Sequence, residues 1–323
     1  MKGRLSMENN RTSKVSIVGA GAVGATLAYA GLMRGFARRV ALYDVNRAKV
    51  EAEALDLAQG IQFMPEATVE GSDDVAVCAD SDVVVITAGA KQQPGQSRLD
   101  LAGATIGLMD KIVPPLVEVS PNAIFILVTN PVDVVTYAAI KRSGMDPRRM
   151  FGSGTVLDSS RLRHQIAQEC RVAVANVHAY IAGEHGDSEV ALWSSATIGG
   201  VPLTEWVDSH GVVVMTDEVR RRIHHDVMRS AYTIIEGKGA TNYAIGAAGA
   251  RIVEAVLNDE NRVLPVSTLI DYPGVGEVCM SLPAVVGREG IVHRVDVSLD
   301  DEERTALEQS ARAIKAVAER FGV

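Results

Sequence analysis

Short, almost wholly apolar runs alternate through the first half of the chain with longer stretches whose apolar residues recur at helical spacing. Residues 15–19 read as a strand, followed by a glycine-bearing turn and an alanine-rich helix to about Arg34, and residues 40–44 read as the next strand. The alternation continues with a helix over Arg47–Gly60, strands near 67–70 and 82–87, a helix over 99–113 and a strand over 123–129, with another helix opening near Pro131. Strand–helix–strand units require parallel pairing, and strands apolar on both faces suit a sheet covered by helices on each side. The predicted fold class is α/β, a Rossmann-type doubly wound parallel sheet.

The second half is mixed. Residues 155–168 read as a helix capped by Thr155, and residues 176–187 run from a strand into a glycine-flanked turn. Helices over 216–237 and Tyr243–Leu257, paired strands over 264–270 and 278–282, and an amphipathic terminal helix over 300–321 complete a mixed α+β substrate domain. The division expected is a flexible leader at 1–13, a nucleotide-binding domain at 14–152 and a catalytic domain at 153–323.

Composition narrows the partners. With 323 residues and 47% hydrophobic content, the chain can bury a large core. A net charge of −8 speaks against a nucleic-acid surface. The three cysteines are far apart, so neither a disulfide framework nor a metal site is expected. The start has no apolar stretch of signal-peptide length, and no run reaches bilayer length. The expectation is a soluble, cytoplasmic protein without membrane or metal.

The chemistry is carried by a few positions. The sequence GAGAVG at 19–24 falls between a strand and a helix, and Asp44 follows Gly24 by 20 residues. In that setting Gly19 permits the tight turn, Gly21 lets the backbone approach a pyrophosphate and Gly24 lets the helix pack closely. Asp44 would bind the ribose hydroxyls and repel a 2′-phosphate, favouring NAD over NADP, although Arg47 lies nearby. Asn130 closes a strand at the sheet end where ligands gather, and a turn-forming asparagine explains it equally well. Gln92 and Arg98 sit in a polar, glycine-bearing loop after another strand. Asp158 and Arg161 share a helix face, His185 sits between Glu184 and Gly186, and Arg163 points to a different partner. If Asp158 holds the His185 Nδ1 proton, the imidazole becomes a general acid–base.

Six motifs in order, the glycine turn, the loop Gln92 to Arg98, TNPVD at 129–133, LDSSR at 157–161, GEHGD at 183–187 and GATNY at 239–243, resemble the bacterial-type L-lactate dehydrogenases of the lactate/malate dehydrogenase superfamily. The resemblance implies NADH-dependent reduction of pyruvate to L-lactate. His185, paired with Asp158, exchanges the proton, Arg161 grips the substrate carboxylate, and Arg98 polarises the carbonyl on loop closure. It places Asn130 at the reacting oxygen and the cofactor, Thr241 in the substrate pocket, and Val23 and Ile245 at the cofactor, with core packing an equal account of Ile245. It also implies a homotetramer activated by fructose 1,6-bisphosphate at Arg163 and His178, a solvated cationic patch being the alternative.

Substrate choice rests on Gln92. The superfamily's malate dehydrogenases carry arginine at the corresponding position, and a second carboxylate needs a cation that neutral Gln92 does not supply. A local shift presenting Lys91 would reopen malate, and branched 2-oxo acids also remain open. A non-catalytic NAD-binding sensor would have no need of Asp158, Arg161 and His185 together.

Overall fold

The computed structural model describes residues 12–90 and 98–323, the side chains of 98–100 excepted. In chain order the first half holds β1 (Lys14–Val18), α1 (Ala22–Arg34), β2 (Arg39–Tyr43), α2 (Arg47–Gly60), β3 (Thr68–Ser72), β4 (Val83–Ile86), α3 (Arg98–Val119), β5 (Ile124–Leu127), α4 (Val132–Ser143) and β6 (Met150–Gly152). The second half holds α5 (Val156–Cys170), β7 (Val177–His178), β8 (Ile181–Gly183), β9 (Glu189–Ala191), β10 (Thr197–Ile198), β11 (Val201–Pro202), α6 (Asp217–Lys238), α7 (Tyr243–Leu257), β12 (Arg262–Tyr272), β13 (Gly276–Gly287), β14 (Gly290–Arg294) and α8 (Asp301–Arg320).

Strands β3-β2-β1-β4-β5-β6 pair in that order and in parallel. This is the doubly wound arrangement expected from the alternation. The order reverses between β1 and β4, and the reversal opens a crevice beyond their carboxyl ends. Alternate residues feed two separate cores. Val15, Ile17, Val83 and Val85 join Leu27 and Leu32 of α1 and Val253 of α7 on one face. Val18, Val84 and Ile86 join Ile106 and Met109 of α3 and Ile314 of α8 on the other.

The sheet does not stop at the expected domain boundary. Strand β6, which the sequence pattern did not reveal, lies between β5 and β12 and pairs with β12 at Gly152↔Ser267. Only glycine fits there, because a Cβ on Gly152 would lie 2.7 Å from Thr136 Oγ1. From β12 the sheet continues antiparallel through β13 to β8 and β9, so the two halves share one hydrogen-bonded framework.

Two local expectations change. Helix α3 runs through Pro114 and Pro115 to Val119 instead of ending at Val113. Its buried stripe of Ile106, Met109, Val113 and Leu116 keeps helical spacing across the prolines, and burial of that stripe outweighs the lost backbone bonds. Thr155 occupies the α5 N-cap, but its hydroxyl donates to the Ile181 carbonyl at 2.6 Å and makes no cap bond. It thereby ties α5 to β8.

Helices α1 and α7 approach through glycine: a Cβ on Gly246 would lie 2.7 Å from Thr26 Cγ2 and 3.0 Å from the Thr26 carbonyl carbon. Gly107, on the exposed side of α3, has nothing within 4 Å of the equivalent position. Gly246→Ala should therefore destabilise the fold by about 1–3 kcal/mol through overpacking, while Gly107→Ala should leave it unchanged or stabilise it by up to about 1 kcal/mol. Urea denaturation of the two variants checks this, and equal midpoints would contradict the close α1–α7 approach.

Candidate functional site

The glycine turn builds an anion cradle at the crevice. Gly19 leaves β1 at φ +101°, and a Cβ there would meet the Ala88 backbone nitrogen at 2.7 Å. Gly24 packs so closely that its Cβ would lie 1.9 Å from the Gly19 carbonyl oxygen. Gly21 is the opposite case: it is the N-cap of α1, and nothing lies within 4 Å of a Cβ built on it. No side chain caps α1 and no acidic residue occupies its first turn. The first N–H groups of a helix lack intrahelical acceptors, and the positive end of its dipole lies among them. An uncapped helix start beside open space fits the pyrophosphate of a dinucleotide.

Asp44, half-buried at the end of β2, accepts the Ala20 N–H at 2.8 Å and the Asn46 N–H at 2.9 Å. It braces the turn, and its carboxylate oxygens keep lone pairs for ribose hydroxyls. Arg47, the nearby cation, pairs with Glu51 at 2.8 Å on the exposed face of α2. Val23 is half-buried against the core, and Ile245 lies in the first turn of α7, next to the Gly246 contact with α1. The residues present thus suit an NAD-type dinucleotide.

The residues expected to form an acid–base pair meet where α5 approaches the turn after β8. His185 Nδ1 is 2.5 Å from Asp158 Oδ2, and Arg161 Nη1 donates to Asp158 Oδ1 at 2.8 Å. The Asp158 side chain is 3% exposed, Arg161 13% and His185 25%, so the pair at 158 and 161 is an interior one and the imidazole alone keeps substantial access. Burial pushes the Asp158 carboxyl up, but the charges and hydrogen bonds of His185 and Arg161 outweigh it and hold the carboxyl below its usual range. Burial likewise pulls His185 down, yet the Asp158 charge and hydrogen bond prevail and raise the imidazole to about 9. The arrangement holds a charged imidazole with Nε2 turned away from its carboxylate partner, suited to giving a proton to an oxygen.

Three carboxylate or hydroxyl groups that the sequence pattern did not single out surround this centre. The His185 backbone N–H donates to Asp133 Oδ2 at 2.7 Å, and the Glu184 N–H donates to Ser310 Oγ at 2.8 Å. Glu189, buried on β9, has its carboxyl raised to about 8 by burial and then by the Asp158 charge. A signal was available for Asp133, an acid in the first turn of a helix that starts at a strand end; none marked Glu189 or Ser310.

The remaining candidates are placed as follows. Asn130 is exposed at the end of β5, beside Thr129, whose hydroxyl donates to the Ala88 carbonyl at 2.7 Å and so joins two strand ends at the crevice. Thr241 is half-buried just before α7. Arg98 begins α3, while Gln92 and Lys91 lie outside the described residues. Arg163 leaves the acid–base face: its Nε donates to the Ala179 carbonyl at 2.8 Å and its guanidinium lies 4.8 Å from the Tyr180 ring centre. His178 is exposed on β7, next to Ala179.

Comparison with known proteins agrees with this geometry. Residues 13–152 match the lactate/malate dehydrogenase NAD binding domain, and residues 155–321 match the lactate/malate dehydrogenase alpha/beta C-terminal domain. An L-lactate dehydrogenase of Bifidobacterium animalis subsp. lactis is 56% identical over 313 residues, covering 97% of this chain and 98% of the relative. One from Thermoanaerobacter pseudethanolicus is 44% identical over 312 residues, 96% of this chain and all of the relative (100%). Among solved structures, a lactate dehydrogenase from a Medee basin deep-sea metagenome library superposes with a TM-score of 0.93 at 38% identity, covering 97% of this chain and 100% of that one. The minor L-lactate dehydrogenase of Enterococcus mundtii gives 0.90 at 38% identity, covering 96% and 98%. With matches running from the NAD cradle through the His185 turn to the terminal helix, the chain belongs to the lactate/malate dehydrogenase family.

Proposed function

We propose that this protein is an L-lactate dehydrogenase that interconverts pyruvate and L-lactate with NAD(H), His185 serving as general acid and base. The observation that carries the reading is the 2.5 Å contact between His185 Nδ1 and a buried Asp158 that Arg161 also holds. The names of the relatives point to the same activity. The division into an NAD-binding domain at 14–152 and a catalytic domain at 153–323 is kept as a functional one, laid over a continuous sheet, while residues 1–11 of the expected leader lie outside the described residues.

The amides at Gly21 and Val23 and the Asp44 carboxylate would hold the dinucleotide, with Gly19 and Gly24 shaping the turn and Ile245 and Asn130 flanking it. When bound, the nicotinamide supplies or accepts the hydride. Arg161 takes the substrate carboxylate with its planar fork, one nitrogen remaining on Asp158. Thr241 borders the substrate, and Asn130 orients the reacting oxygen. Arg98 is assigned to polarising that oxygen and excluding water, and Gln92 to selecting the substrate. In the reducing direction His185 gives its Nε2 proton to the keto oxygen, and in the oxidising direction it takes the hydroxyl proton. A partner carboxylate on Nδ1 fixes the tautomer and stabilises the charged ring.

We further assign fructose 1,6-bisphosphate to Arg163 and His178 and a homotetrameric state. Arg163 Nε is held on the carbonyl of Ala179, the chain neighbour of His178, which supports a site shared by the two residues. The exposed apolar side chains of Tyr29, Met33, Leu55 and Phe63 support assembly. A cytoplasmic location accords with three cysteines that are all free.

NADH oxidation measured with pyruvate, oxaloacetate and 2-oxoisocaproate, each with and without fructose 1,6-bisphosphate, should show pyruvate preferred and the bisphosphate lowering its KM. Preference for oxaloacetate would return the selecting role to Lys91, and hyperbolic pyruvate kinetics unchanged by the bisphosphate would remove the allosteric assignment. Tight NADH binding without turnover would leave a sensor.

His185→Asn should lower kcat by roughly 10²–10⁴-fold while NADH binding, followed by fluorescence, persists. In the unaltered enzyme pyruvate reduction needs charged His185 and should fall as pH rises through about 9, whereas lactate oxidation needs the neutral ring and should rise over the same interval. Retained turnover in the variant, or parallel pH profiles in the two directions, would refute the acid–base role.

A further inference from the structure

The turn that carries His185 is held at its backbone from two sides. Ser310 of α8 takes the Glu184 N–H at 2.8 Å, and Asp133 of α4 takes the His185 N–H at 2.7 Å. The other Asp133 oxygen accepts the Ser267 hydroxyl of β12 at 2.5 Å. Asp133 is 3% exposed, lies in the first turn of α4 and follows Asn130 by three residues. One enclosed carboxylate therefore joins the β5–α4 junction, the long β12 strand and the backbone of the acid–base residue.

A carboxylate is an expensive group to enclose between two neutral donors, and an amide or hydroxyl would satisfy the same bonds at lower cost. An ionised carboxylate brings two features those groups lack. It only accepts, so neither oxygen can be exchanged for a donor by rotation. It also carries negative charge, which the start of a helix favours.

We propose that Asp133 is a positioning residue of the acid–base centre, fixing the His185 backbone so that the imidazole reaches Asp158 and the substrate at once. The inference rests on the acid–base reading of His185. The side chain of Asp158 holds the ring at Nδ1, and Asp133 holds the chain from which the ring projects. With both in place the imidazole has little freedom to swing from the reacting oxygen, and small misplacements of such groups are costly in rate.

The titratable groups facing Asp133 are His185 and Glu184 on the turn and Cys279 on β13. Burial raises the Cys279 thiol well above its usual range, so it is neutral. Burial also raises the Asp133 carboxyl, to about 6, with the Ser267 and His185 bonds opposing that rise. Asp133 is thus ionised at neutral pH, and its charge adds to that of Asp158 in keeping the imidazole protonated.

Two substitutions separate placement from charge. Asp133→Asn keeps a carbonyl oxygen for the His185 N–H and turns its amide to Ser267 Oγ, which can accept. Asp133→Ala removes both bonds. Pyruvate kcat and KM, their pH profiles, NADH binding and thermal midpoints are measured for each beside His185→Asn. The expected result is that Asp133→Asn keeps at least about a tenth of kcat and moves the alkaline inflection down by about one pH unit, the size of a nearby-charge effect. Asp133→Ala should lose about 100-fold in kcat with NADH binding preserved. An unaltered inflection in Asp133→Asn, or a kcat that falls equally in the two variants and only in step with their thermal midpoints, would overturn the proposal, and Asp133→Asn decides it alone if Asp133→Ala does not fold. Retained turnover in His185→Asn would instead remove the acid–base reading itself; an inactive His185→Asn beside an Asp133→Asn with no effect on the pH profile would remove the positioning role alone.

Discussion

A carboxylate almost sealed from solvent must be answered by cations or hydrogen-bond donors, or give up its charge. Asp158 is such a group, and its two oxygens are divided between His185 and Arg161. That division explains much of the local architecture. The i, i+3 spacing on α5 gives Arg161 to the same carboxylate without any tertiary search, whereas His185 must be delivered from the turn after β8. Removing either cation would leave the buried charge of Asp158 answered by one partner alone. Because the His185 imidazole is raised, the stabilisation from its pairing is complete below the ordinary histidine value and is lost as pH rises through about 9.

The sheet makes that delivery possible. A doubly wound parallel sheet opens its crevice at the β1–β4 reversal, and β6 carries the hydrogen-bonded framework on into β12, β13 and β8. Strand β8 ends at Gly183, where a Cβ would lie 2.7 Å from Ser310 Oγ, so the turn bearing His185 starts against α8. Thr155, Ser159 and Ile181 tie α5 to the same strand through side-chain and backbone bonds. The glycine turn and the His185–Asp158 pair are therefore mounted on one continuous backbone lattice instead of on two separately folded bodies.

Much of this was legible in residue order. Strands β4 and β5 declared themselves because each is apolar on both faces, and Tyr243–Leu257 because its apolar stripe is uninterrupted. The glycine turn was readable because each glycine answers a separate contact, at Ala88, at open space and at the Gly19 carbonyl. Strand β6 was not, since three residues ending in glycine carry neither period nor propensity and owe their conformation to partners on both sides. The prolines at 114 and 115 misled because local backbone cost is visible in sequence and the packing that offsets it is not. Asp158, Arg161 and His185 were legible as a set through their resemblance to a family, but the bonds of Asp133 and the enclosure of Glu189 arise from contacts between distant elements.

Asp158 holds its central place only if it makes His185 a cation at neutral pH. The direct measurement is the protonation of the His185 ring, followed by nitrogen NMR of labelled, ligand-free protein across a pH titration, with His185→Asn used to assign the resonance. An apparent pKa near 9, falling toward the ordinary histidine value in Asp158→Asn, is the predicted result. A ring that titrates at about 6.5 in the unaltered protein, or whose titration is the same in Asp158→Asn, would contradict it.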